Sequence, residues 1–466
     1  MKKEYRIIIS GGGTGGHIFP ALSIADAIKS KHPEAKILFV GANNRMEMQR
    51  VPDAGYDIVG LPIAGFNRKN LFKNIKVLWL ILKSQRMAKK IIKEFAPQVA
   101  VGVGGYASGP TLKMAASMNI PTLIQEQNSY AGVTNKILSK KAKMICVAYE
   151  NMDRFFPHEK IKLTGNPVRK NLLEMRANRN EAIKAMGLDE NKKCVLIVGG
   201  SLGSRSINEA IIANIEKIRE NSGIQFIWQT GKLYFEEMKK RAAEGKGTPE
   251  NLVITDFVSN MANALGAAVV SRARARSISE FALLGKAVIL VPSPNVSEDH
   301  QTKNAMALVE KGAAIYVADA KAKDELVDKA VETVNNPGLI ASLEKNVETM
   351  GKPNAADIIA NEVMLLADAY IEKETRRKKE NLKYYRKKQE KMKLQVFITD
   401  LISMKKQGNL LKNQMKIFIL SRIQLLQLFP ITFIGWNTSL LCIAVEARPK
   451  AVLIPRYTTL AKEASL

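Results

Sequence analysis

Two glycine-rich loops are the segments of this sequence whose residue types best suit the binding of phosphate. The first runs from Ser10 to His17 and the second from Gly199 to Arg205, and each follows an apolar run and precedes a segment with helical spacing. A glycine loop before a helix N-terminus presents unpaired backbone N–H groups, and the missing side chains let an anion approach the backbone. The glycines that we expect to surround phosphate are Gly11, Gly12, Gly13, Gly199, Gly200 and Gly203.

The spacing Gly11-x-Gly13-x-x-Gly16 also satisfies the fingerprint of dinucleotide-binding proteins. That function requires an acidic residue at the end of the second strand, where it holds a ribose hydroxyl. The corresponding segment, Val40 to Arg45, contains no acid, so the sequence disfavours a nicotinamide or flavin cofactor. Glycines that serve packing alone are equally disfavoured, because a tight turn does not need five glycines in six positions.

Polar side chains that could move a proton lie at the first loop and after a neighbouring strand. His17 follows the loop directly, where a ligand would lie, and the pKa range of imidazole suits a general base. A surface or core role is the alternative for a single histidine. The segment Gln125 to Ser129 follows the apolar run Thr122 to Ile124, so its polar groups fall where parallel sheets bind ligands. The alternative is an ordinary polar loop.

The second half of the chain contains two further polar segments that suit a polyhydroxy ligand. Glu280, next to Ser279, is predicted to begin a helix, and its carboxylate could accept hydrogen bonds from two sugar hydroxyls. The run from Glu298 to Asn304 follows a strand and a proline-rich turn and is rich in donors and acceptors. Each segment has a structural alternative, since Glu280 could complement a helix dipole and Glu298 or Asp299 could cap a helix.

The segment Asn70 to Lys93 combines an apolar stripe with seven basic and no acidic residues. Part of the stripe must belong to the core, but Phe72 and Trp79, with basic neighbours such as Lys83, suit the surface of an anionic membrane. The chain has no Asp-x-Asp pair, four histidines and three cysteines. We therefore expect loops to bind the anion without a metal, and neither a zinc site nor a disulfide framework.

Short apolar runs alternate with segments of helical spacing, and this alternation predicts the elements that position these groups. The pattern extends to about residue 147, restarts after Gly165 and continues to about residue 291. Such alternation is typical of parallel sheets covered by helices on both faces. We therefore predict two doubly wound α/β domains that join near residue 165.

Basic residues exceed acidic ones by 71 to 44 in 466 residues, which gives a net charge of +27. Such an excess points to phosphate in a nucleic acid, an anionic lipid or a phosphorylated substrate. Residues 371–466 alone contribute +13, with 20 basic and 7 acidic residues. No nucleic-acid-binding motif accompanies the charge, so a nucleic-acid partner is disfavoured.

Residues 371–466 differ in character from the rest of the chain. A helix-prone run from Glu372 to Lys393 opens this tail, and the residues after about 395 show no helical or strand periodicity. Ile423 to Val445 carries no formal charge over 23 residues, but its Gln, Asn, Pro and Gly residues make it a weak candidate for a membrane span. The tail is predicted to be either a membrane anchor or an irregular extension, and the missing periodicity favours the extension.

A series of motifs resembles the MurG family of peptidoglycan glycosyltransferases, in order from residue 5 to about 368. The matching segments are Ile8–Pro20, Arg45–Met48, Leu61–Gly65, Gly104–Ser108, Gln125–Asn128, Gly165–Arg169, Gly199–Ser204 and Asp299–Asn304. The resemblance implies the GT-B fold, with the active site in the cleft between two Rossmann-like domains. The implied domains are an acceptor and membrane-side domain (1–164), a UDP-sugar-binding domain (165–352) and a helix (353–370) that returns to the first. The tail lies outside the resemblance.

The resemblance also implies an activity and a location. The family transfers N-acetylglucosamine from UDP-N-acetylglucosamine to the 4-hydroxyl of undecaprenyl-diphosphate-linked N-acetylmuramyl-pentapeptide, with inversion. It works as a peripheral protein at the cytoplasmic face of the bacterial inner membrane. The implied partners are these two substrates and an anionic membrane surface, with no cofactor and no tightly bound metal.

Carried over position by position, the resemblance assigns contacts with donor and acceptor to Thr14, Gly15, Gly16 and Asn128. It assigns UDP and the donor sugar to Arg169, Ser201, Val258, Ala275, Arg276, Ser277, Ile278, Ser279, Glu280 and Gln301. Glu280 is expected to accept from the ribose hydroxyls, and Ser201 with its loop to hold the diphosphate, whose charge Arg169 offsets. His17 is the first choice of base and Glu126 the second.

One departure from the family falls beside the expected nucleotide. Arg274 stands where the family has glycine, and Met261 to Ala268 lacks the family's tyrosines and aspartate. A guanidinium where backbone must approach a ligand is expected to block UDP or, alternatively, to add a phosphate contact. This departure and the extra tail favour the alternative of a non-catalytic, lipid-binding scaffold descended from the family.

Overall fold

The computed structural model describes residues 4–13, 15–63, 73–168, 184, 187–200, 202–258, 268–406, 431–437 and 440–445. The strands of the first half are β1 (Arg6–Ser10), β2 (Lys36–Ala42), β3 (Asp57–Leu61), β4 (Val99–Gly102), β5 (Thr122–Glu126), β6 (Met144–Val147) and β7 (Ile161–Leu163). They form one sheet of parallel neighbours in the order β3-β2-β1-β4-β5-β6-β7. The strand order reverses between β1 and β4, where such folds bind ligands.

Helices cover both faces of this sheet. They are α1 (Gly15–Lys31), α2 (Glu47–Asp53), α3 (Lys73–Phe95), α4 (Ser108–Ser117) and α5 (Val133–Ser139). Ile7 and Ile9 of β1 pack in one core cluster with α1, whereas Ile8 packs in another with α3 and α4. All three are fully buried, because successive side chains of a strand point to opposite faces and both faces are covered.

The second half repeats this architecture. Its strands are β8 (Lys193–Val198), β9 (Ile224–Gln229), β10 (Leu252–Thr255), β11 (Ala268–Ser271), β12 (Ala287–Leu290) and β13 (Ile315–Tyr316), in the parallel order β10-β9-β8-β11-β12-β13. Its helices are α6 (Arg205–Ala213), α7 (Ile215–Glu220), α8 (Phe235–Ala242), α9 (Ala275–Leu284), α10 (His300–Val309), α11 (Ala322–Asn335) and α12 (Pro337–Glu348). Two doubly wound sheets are thus confirmed, while the domain limits that we predict at residues 164, 352 and 370 stay predictions.

A long helix, α13 (Ala355–Lys406), follows the second sheet. Ile359, Ala360 and Val363 are buried in the core of the first sheet beside α1, at the spacing of one helical face. Tyr5 donates from its hydroxyl to Oδ1 of Asp368 at 3.0 Å. The helix continues to Lys406, so the expectation of no helical structure after about residue 395 is wrong for this stretch. Residues 1–372 form one compact unit and residues 373–466 a second.

Two further strands lie in the tail. β14 (Ile431–Asn437) and β15 (Leu440–Val445) pair in antiparallel fashion. The described part of the span candidate, residues 423–445, is therefore extended rather than helical, and the rest of it lies outside the described residues. Among the helices that the described residues form, none combines the length and the apolar character needed to cross a bilayer.

Candidate active site

The first glycine loop surrounds a carboxylate of the protein itself. The backbone N–H of Gly13 donates to both oxygens of Glu47 at 3.0 Å, and that of Ala42 donates to Oε1 at 3.0 Å. Glu47 begins α2 and is only 1% exposed. A Cβ atom on Gly12 would lie 2.0 Å from Oε1, so a side chain does not fit there. At Gly13 the structure therefore differs from the sequence-based expectation of an amide open to phosphate.

His17 lies in the first turn of α1, beside the same loop. Its Nδ1 donates a hydrogen bond to the carbonyl oxygen of Gly12 at 3.0 Å. A carbonyl oxygen only accepts, so Nδ1 carries the proton and Nε2 carries the lone pair. The ring packs beside Gly104, where an added Cβ would come within 2.9 Å of Nε2. In this tautomer Nε2 is the ring nitrogen that can accept a proton.

Burial lowers the pKa of His17 below the ordinary imidazole value of 6.5. The negative charges of Glu126 and Glu47 and the hydrogen bond to Gly12 oppose this change, whereas the positive charge of His300 adds to it. Burial dominates because it removes water from the charged form. His17 is therefore neutral, and able to accept a proton, at neutral pH.

Glu126, the second candidate base, holds the loop that follows it. It ends β5, and its Oε1 accepts from the backbone and side-chain amides of Asn128 at 3.0 and 3.2 Å. Its Oε2 accepts from the backbone of Gly132 at 3.0 Å and from Nδ2 of Asn135 at 2.8 Å. Both oxygens are engaged and the side chain is buried. Glu126 thus holds the loop that carries Asn128 through both of its oxygens.

Asn304, on α10, joins the two halves of the chain. Its Nδ2 donates to Oδ1 of Asn128 at 3.1 Å, and its Oδ1 accepts from the backbone and hydroxyl of Ser129 at 2.9 and 3.1 Å. The side chain is fully buried. Hydrogen bonds of Asn304 thus connect the loop of Asn128, which is predicted to contact the acceptor, with α10. The same helix carries Gln301, which is predicted to contact the donor.

Asn166 forms a second bridge between the halves. Its Oδ1 accepts from Nε2 of Gln125 at 3.0 Å. Its Nδ2 donates to the carbonyl of Gln127 at 3.0 Å and lies 3.0 Å from Oγ of Ser279. Ser279, a predicted donor contact, also donates to the carbonyl of Ala275 at 2.9 Å. Polar side chains therefore connect the carboxyl end of β5 with the start of α9.

The second glycine loop differs from the first in its electrostatics. No carboxylate of the described residues accepts a hydrogen bond from the backbone of Gly199, Gly200 or Gly203. The guanidinium of Arg274 lies against this loop, since a Cβ on Gly200 would be 3.2 Å from its Cζ atom. The departure from the family thus places a cation over the loop that is expected to hold a diphosphate.

Glu280 lies inside α9, which begins at Ala275. The prediction that Glu280 begins a helix is therefore wrong, and so is its alternative role as a helix-start residue that complements the dipole. Arg276 donates from Nε to Oε1 of Glu280 at 2.7 Å, and its guanidinium lies 3.9 Å from the ring centroid of Phe19 in α1. Within the described part of the chain, no group donates to Oε2. Arg276 therefore orients Glu280 and leaves one carboxylate oxygen available for a ligand.

Most of the remaining predicted contacts lie in the two glycine loops and in the first turns of α1 and α9: Gly11, Gly15, Gly16, Gly199, Ala275, Ser277 and Ile278. Gln301 is buried and accepts from the backbone of Ser293 at 3.0 Å, and Val258 is buried. Four predicted residues lie outside the described residues: Thr14, Arg169, Ser201 and Phe72. Across the described ranges, no group of three or more His, Cys, Asp or Glu side chains could hold a metal ion.

Helix α3 presents large apolar side chains to solvent. Leu78, Trp79 and Leu82 are 55%, 58% and 56% exposed. The Nζ atom of Lys83 lies 5.2 Å from the centroid of the Trp79 ring. Ile92, on the same helix, is buried in the core of the first sheet. One part of α3 thus packs in the core while another leaves an aromatic and two leucines in water.

Comparisons with known proteins identify the family. The family model of the glycosyltransferase family 28 N-terminal domain matches residues 7–147, and that of the C-terminal domain matches residues 194–359. The chain belongs to glycosyltransferase family 28. The first match covers β1 to β6 and the second covers β8 to β13, so both halves of the site belong to the family 28 fold.

Relatives in family 28 extend this result. A Phocaeicola vulgatus protein, named UDP-N-acetylglucosamine--N-acetylmuramyl-(pentapeptide) pyrophosphoryl-undecaprenol N-acetylglucosamine transferase, is 63% identical over 372 residues, covering 79% of this chain and 98% of the relative. A Bacteroides thetaiotaomicron protein of the same name is 60% identical over 79% of this chain and 100% of the relative. The solved structure of Acinetobacter baumannii MurG is 27% identical, with a TM-score of 0.63, over 77% of this chain and 99% of that one. The MurG resemblance and the GT-B fold are confirmed.

Proposed function

We propose that this chain transfers N-acetylglucosamine from UDP-N-acetylglucosamine to undecaprenyl-diphosphate-linked N-acetylmuramyl-pentapeptide, which converts lipid I into lipid II in peptidoglycan synthesis. The identity of 63% with a relative of that name, over 98% of its length, carries the proposal. The site supports it, because the first half supplies a neutral histidine and the second half an open phosphate loop. Asn304 bonds these two halves together.

Inversion at the sugar requires a single displacement. The 4-hydroxyl oxygen of the muramyl residue attacks C1 of N-acetylglucosamine, and the bond from C1 to the diphosphate oxygen breaks. UDP leaves with that electron pair, and the hydroxyl proton passes to Nε2 of His17. The hydrogen bond from Nδ1 to Gly12 keeps the lone pair on Nε2. Glu126 acts on this step only through the loop that it holds.

The second glycine loop and Arg274 stabilise the charge of the leaving UDP. Donors that are already aimed at developing negative charge lower the barrier without reorganisation. The loop opens α6, whose positive dipole end favours an anion, and the Arg274 guanidinium adds a full charge. Of the two roles that the sequence leaves open for Arg274, its position over Gly200 supports the phosphate contact.

Glu280 recognises the ribose of the donor. Its Oε2 accepts from a ribose hydroxyl while Arg276 holds Oε1. The proposed reaction uses no cofactor and no tightly bound metal, and the proposed partners do not include nucleic acid. The acceptor-binding half meets an anionic membrane at the cytoplasmic face through the exposed residues of α3, Leu78, Trp79 and Leu82 with Lys83.

Transfer by the purified full-length chain tests this function. We expect UDP release that requires both UDP-N-acetylglucosamine and the lipid-linked acceptor, and a product heavier by one N-acetylglucosamine in mass spectrometry. If neither the wild-type chain nor Arg274→Gly releases UDP, the proposal is overturned. Calorimetry with UDP then identifies the alternative, since a lipid-binding scaffold would bind vesicles and not UDP.

A further inference from the structure

Glu47 and His17 hydrogen-bond to opposite ends of one peptide group. This group joins Gly12 to Gly13 and consists of the Gly12 carbonyl and the Gly13 N–H. The N–H donates to Glu47 at 3.0 Å, and the carbonyl accepts from Nδ1 of His17 at 3.0 Å. A peptide group is planar and rigid, so the carboxylate that fixes one end also fixes the other.

We propose that Glu47 is a positioning residue that orients His17 through this peptide group, in an arrangement that we call the carboxylate–peptide–imidazole relay. The proposal rests on the proposed function, in which His17 is the base. It goes beyond that function because Glu47, whose carboxylate accepts from the backbone of Gly13 and Ala42, would act on the reaction only through His17. Glu47 belongs to the family-like segment Arg45–Met48, and neither the sequence nor the comparisons assign a role to this segment. The relay gives Glu47 the role of positioning His17.

The surrounding glycines hold the peptide group in the relay. Gly12 and Gly13 have φ angles of 149° and 85°, which other residues rarely adopt. A Cβ on Gly105, whose φ is 84°, would lie 2.3 Å from the Gly12 carbonyl oxygen. A side chain at Gly12 would therefore displace the Glu47 carboxylate, and one at Gly105 would displace the peptide group. The hydrogen bonds of the relay form only because glycine stands at both positions.

The direction of the hydrogen bonds gives the relay an electrostatic effect. The side-chain oxygens of Glu47 only accept in their hydrogen bonds with the backbone N–H groups of Gly13 and Ala42, which is the role of an ionised carboxylate. A negative charge at the N–H end of a peptide polarises its carbonyl and strengthens the bond that the carbonyl accepts. A stronger acceptor at Nδ1 of His17 raises the basicity of Nε2. The charged groups that face His17 are Glu126 from β5, His300 from α10 and Glu47 from α2.

The relay also excludes phosphate from the peptide between Gly12 and Gly13. Glu47 is 1% exposed and occupies the position that an anion would take. A phosphate there would have to displace a buried carboxylate or lie against it, and like charges at contact distance repel. We therefore expect variants of Glu47 to change turnover rather than the binding of the acceptor diphosphate.

Titration of His17 in the full-length chain tests the relay without requiring turnover. The chain has four histidines, so 13C-labelled imidazoles give few NMR signals, and His17→Ala assigns one of them. Glu47→Gln keeps the side-chain length and removes the charge, so the His17 titration should move to lower pH. We expect kcat to fall about ten- to a hundredfold because the base is misplaced. The KM of each substrate should stay within about twofold of wild type.

Two further variants complete the test. Glu34→Gln is the matched control, because Oε1 of Glu34 lies 3.8 Å from Nδ1 of a different histidine, His32, and the substitution should leave the His17 titration and kcat unchanged. Glu47→Asp keeps the charge but is too short to reach both Gly13 and Ala42. It should leave the His17 titration near that of wild type and still lower kcat.

The outcomes separate the relay from the proposed function. A folded Glu47→Gln protein with unchanged His17 titration and unchanged kcat would overturn the relay. A change in the acceptor KM at constant kcat would overturn it as well, and a fall in that KM would identify the loop as a phosphate site, because Glu47→Gln removes the negative charge that repels the anion. A wild-type chain without transferase activity would overturn the proposed function, whereas the His17 titration would still report on the relay.

Discussion

Asn304 donates from Nδ2 to Oδ1 of Asn128 at 3.1 Å and so bonds a helix of the second half to a loop of the first. Asn304→Ala removes this bond and the two that Ser129 donates, all at a fully buried position. We expect the free energy of unfolding to fall by about 1–3 kcal/mol, because buried polar partners lose their hydrogen bonds. The value of kcat/KM should fall as well, since the loop that carries Asn128 is no longer held.

Urea unfolding and steady-state kinetics measure these two effects of Asn304→Ala. Asn335→Ala is the control, because Asn335 is exposed and accepts only from Nζ of Lys193 in the described structure. An equal loss of stability and activity in both variants would show that the bridge between the halves has no special role.

His17 is the residue on which the proposed chemistry depends most. His17→Ala should lower kcat by about two to four orders of magnitude, as expected for the loss of a general base. Its affinity for UDP should not change, because the phosphate loop that we assign to UDP lies in the other half. Discontinuous assays of UDP release measure kcat, and calorimetry with UDP measures the affinity. His158→Ala, which alters an exposed histidine, should behave as wild type.

The pH profile of the wild-type enzyme provides a second measurement of the role of His17. Burial lowers the pKa of His17 below 6.5, and a base works only in its neutral form. The value of kcat should therefore rise with pH through a pKa below 6.5 and remain level above it. A rising limb centred above pH 7 would indicate that another group is the base.

The alternation of apolar runs and helical segments was sufficient to predict both sheets, because periodicity is a local property of the chain. The two glycine loops look alike in sequence, yet Glu47 fills the first, and it lies 34 residues beyond Gly13. Asn304 and Asn128 are 176 residues apart. Such partners follow from tertiary contacts, which no local pattern contains. The sequence contains one signal of the Glu47 contact. Glu47 lies in the family-like segment Arg45–Met48, at the start of the helix that follows β2, and an acid at that position is a candidate partner for the glycine loop.

Arg274 offers a prediction about the donor. Arg274→Gly restores the residue type of the family and removes the guanidinium that lies against Gly200. We expect the affinity for UDP to fall by about ten- to a hundredfold, the range for losing a charged hydrogen-bond donor to the diphosphate. Arg274→Lys should lose less, because it keeps the charge without the paired geometry of a guanidinium.

Calorimetry with UDP and with uridine distinguishes a phosphate contact from other effects of Arg274→Gly. Uridine has no phosphate, so its affinity should be equal in the variant and the wild type. Tighter binding of UDP by Arg274→Gly would mean that the arginine blocks the site, which is the other possibility that the sequence leaves open.

The exposed residues of α3 lead to a prediction about membrane binding. Trp79 and Leu82 are 58% and 56% exposed, and each buries apolar area if the helix enters the headgroup region. The double variant Trp79→Ala/Leu82→Ala should bind vesicles of anionic phospholipid at least about a hundredfold more weakly, from the loss of about 1.5–3 kcal/mol for each large apolar side chain that the membrane buries. Its kcat on a detergent-solubilised acceptor should equal that of wild type.

Leu233→Ala, at a 73% exposed leucine of the second half, is the control for removing any exposed apolar residue. Vesicle co-sedimentation measures the binding, and equal retention of all three proteins would place the membrane contact elsewhere on the chain.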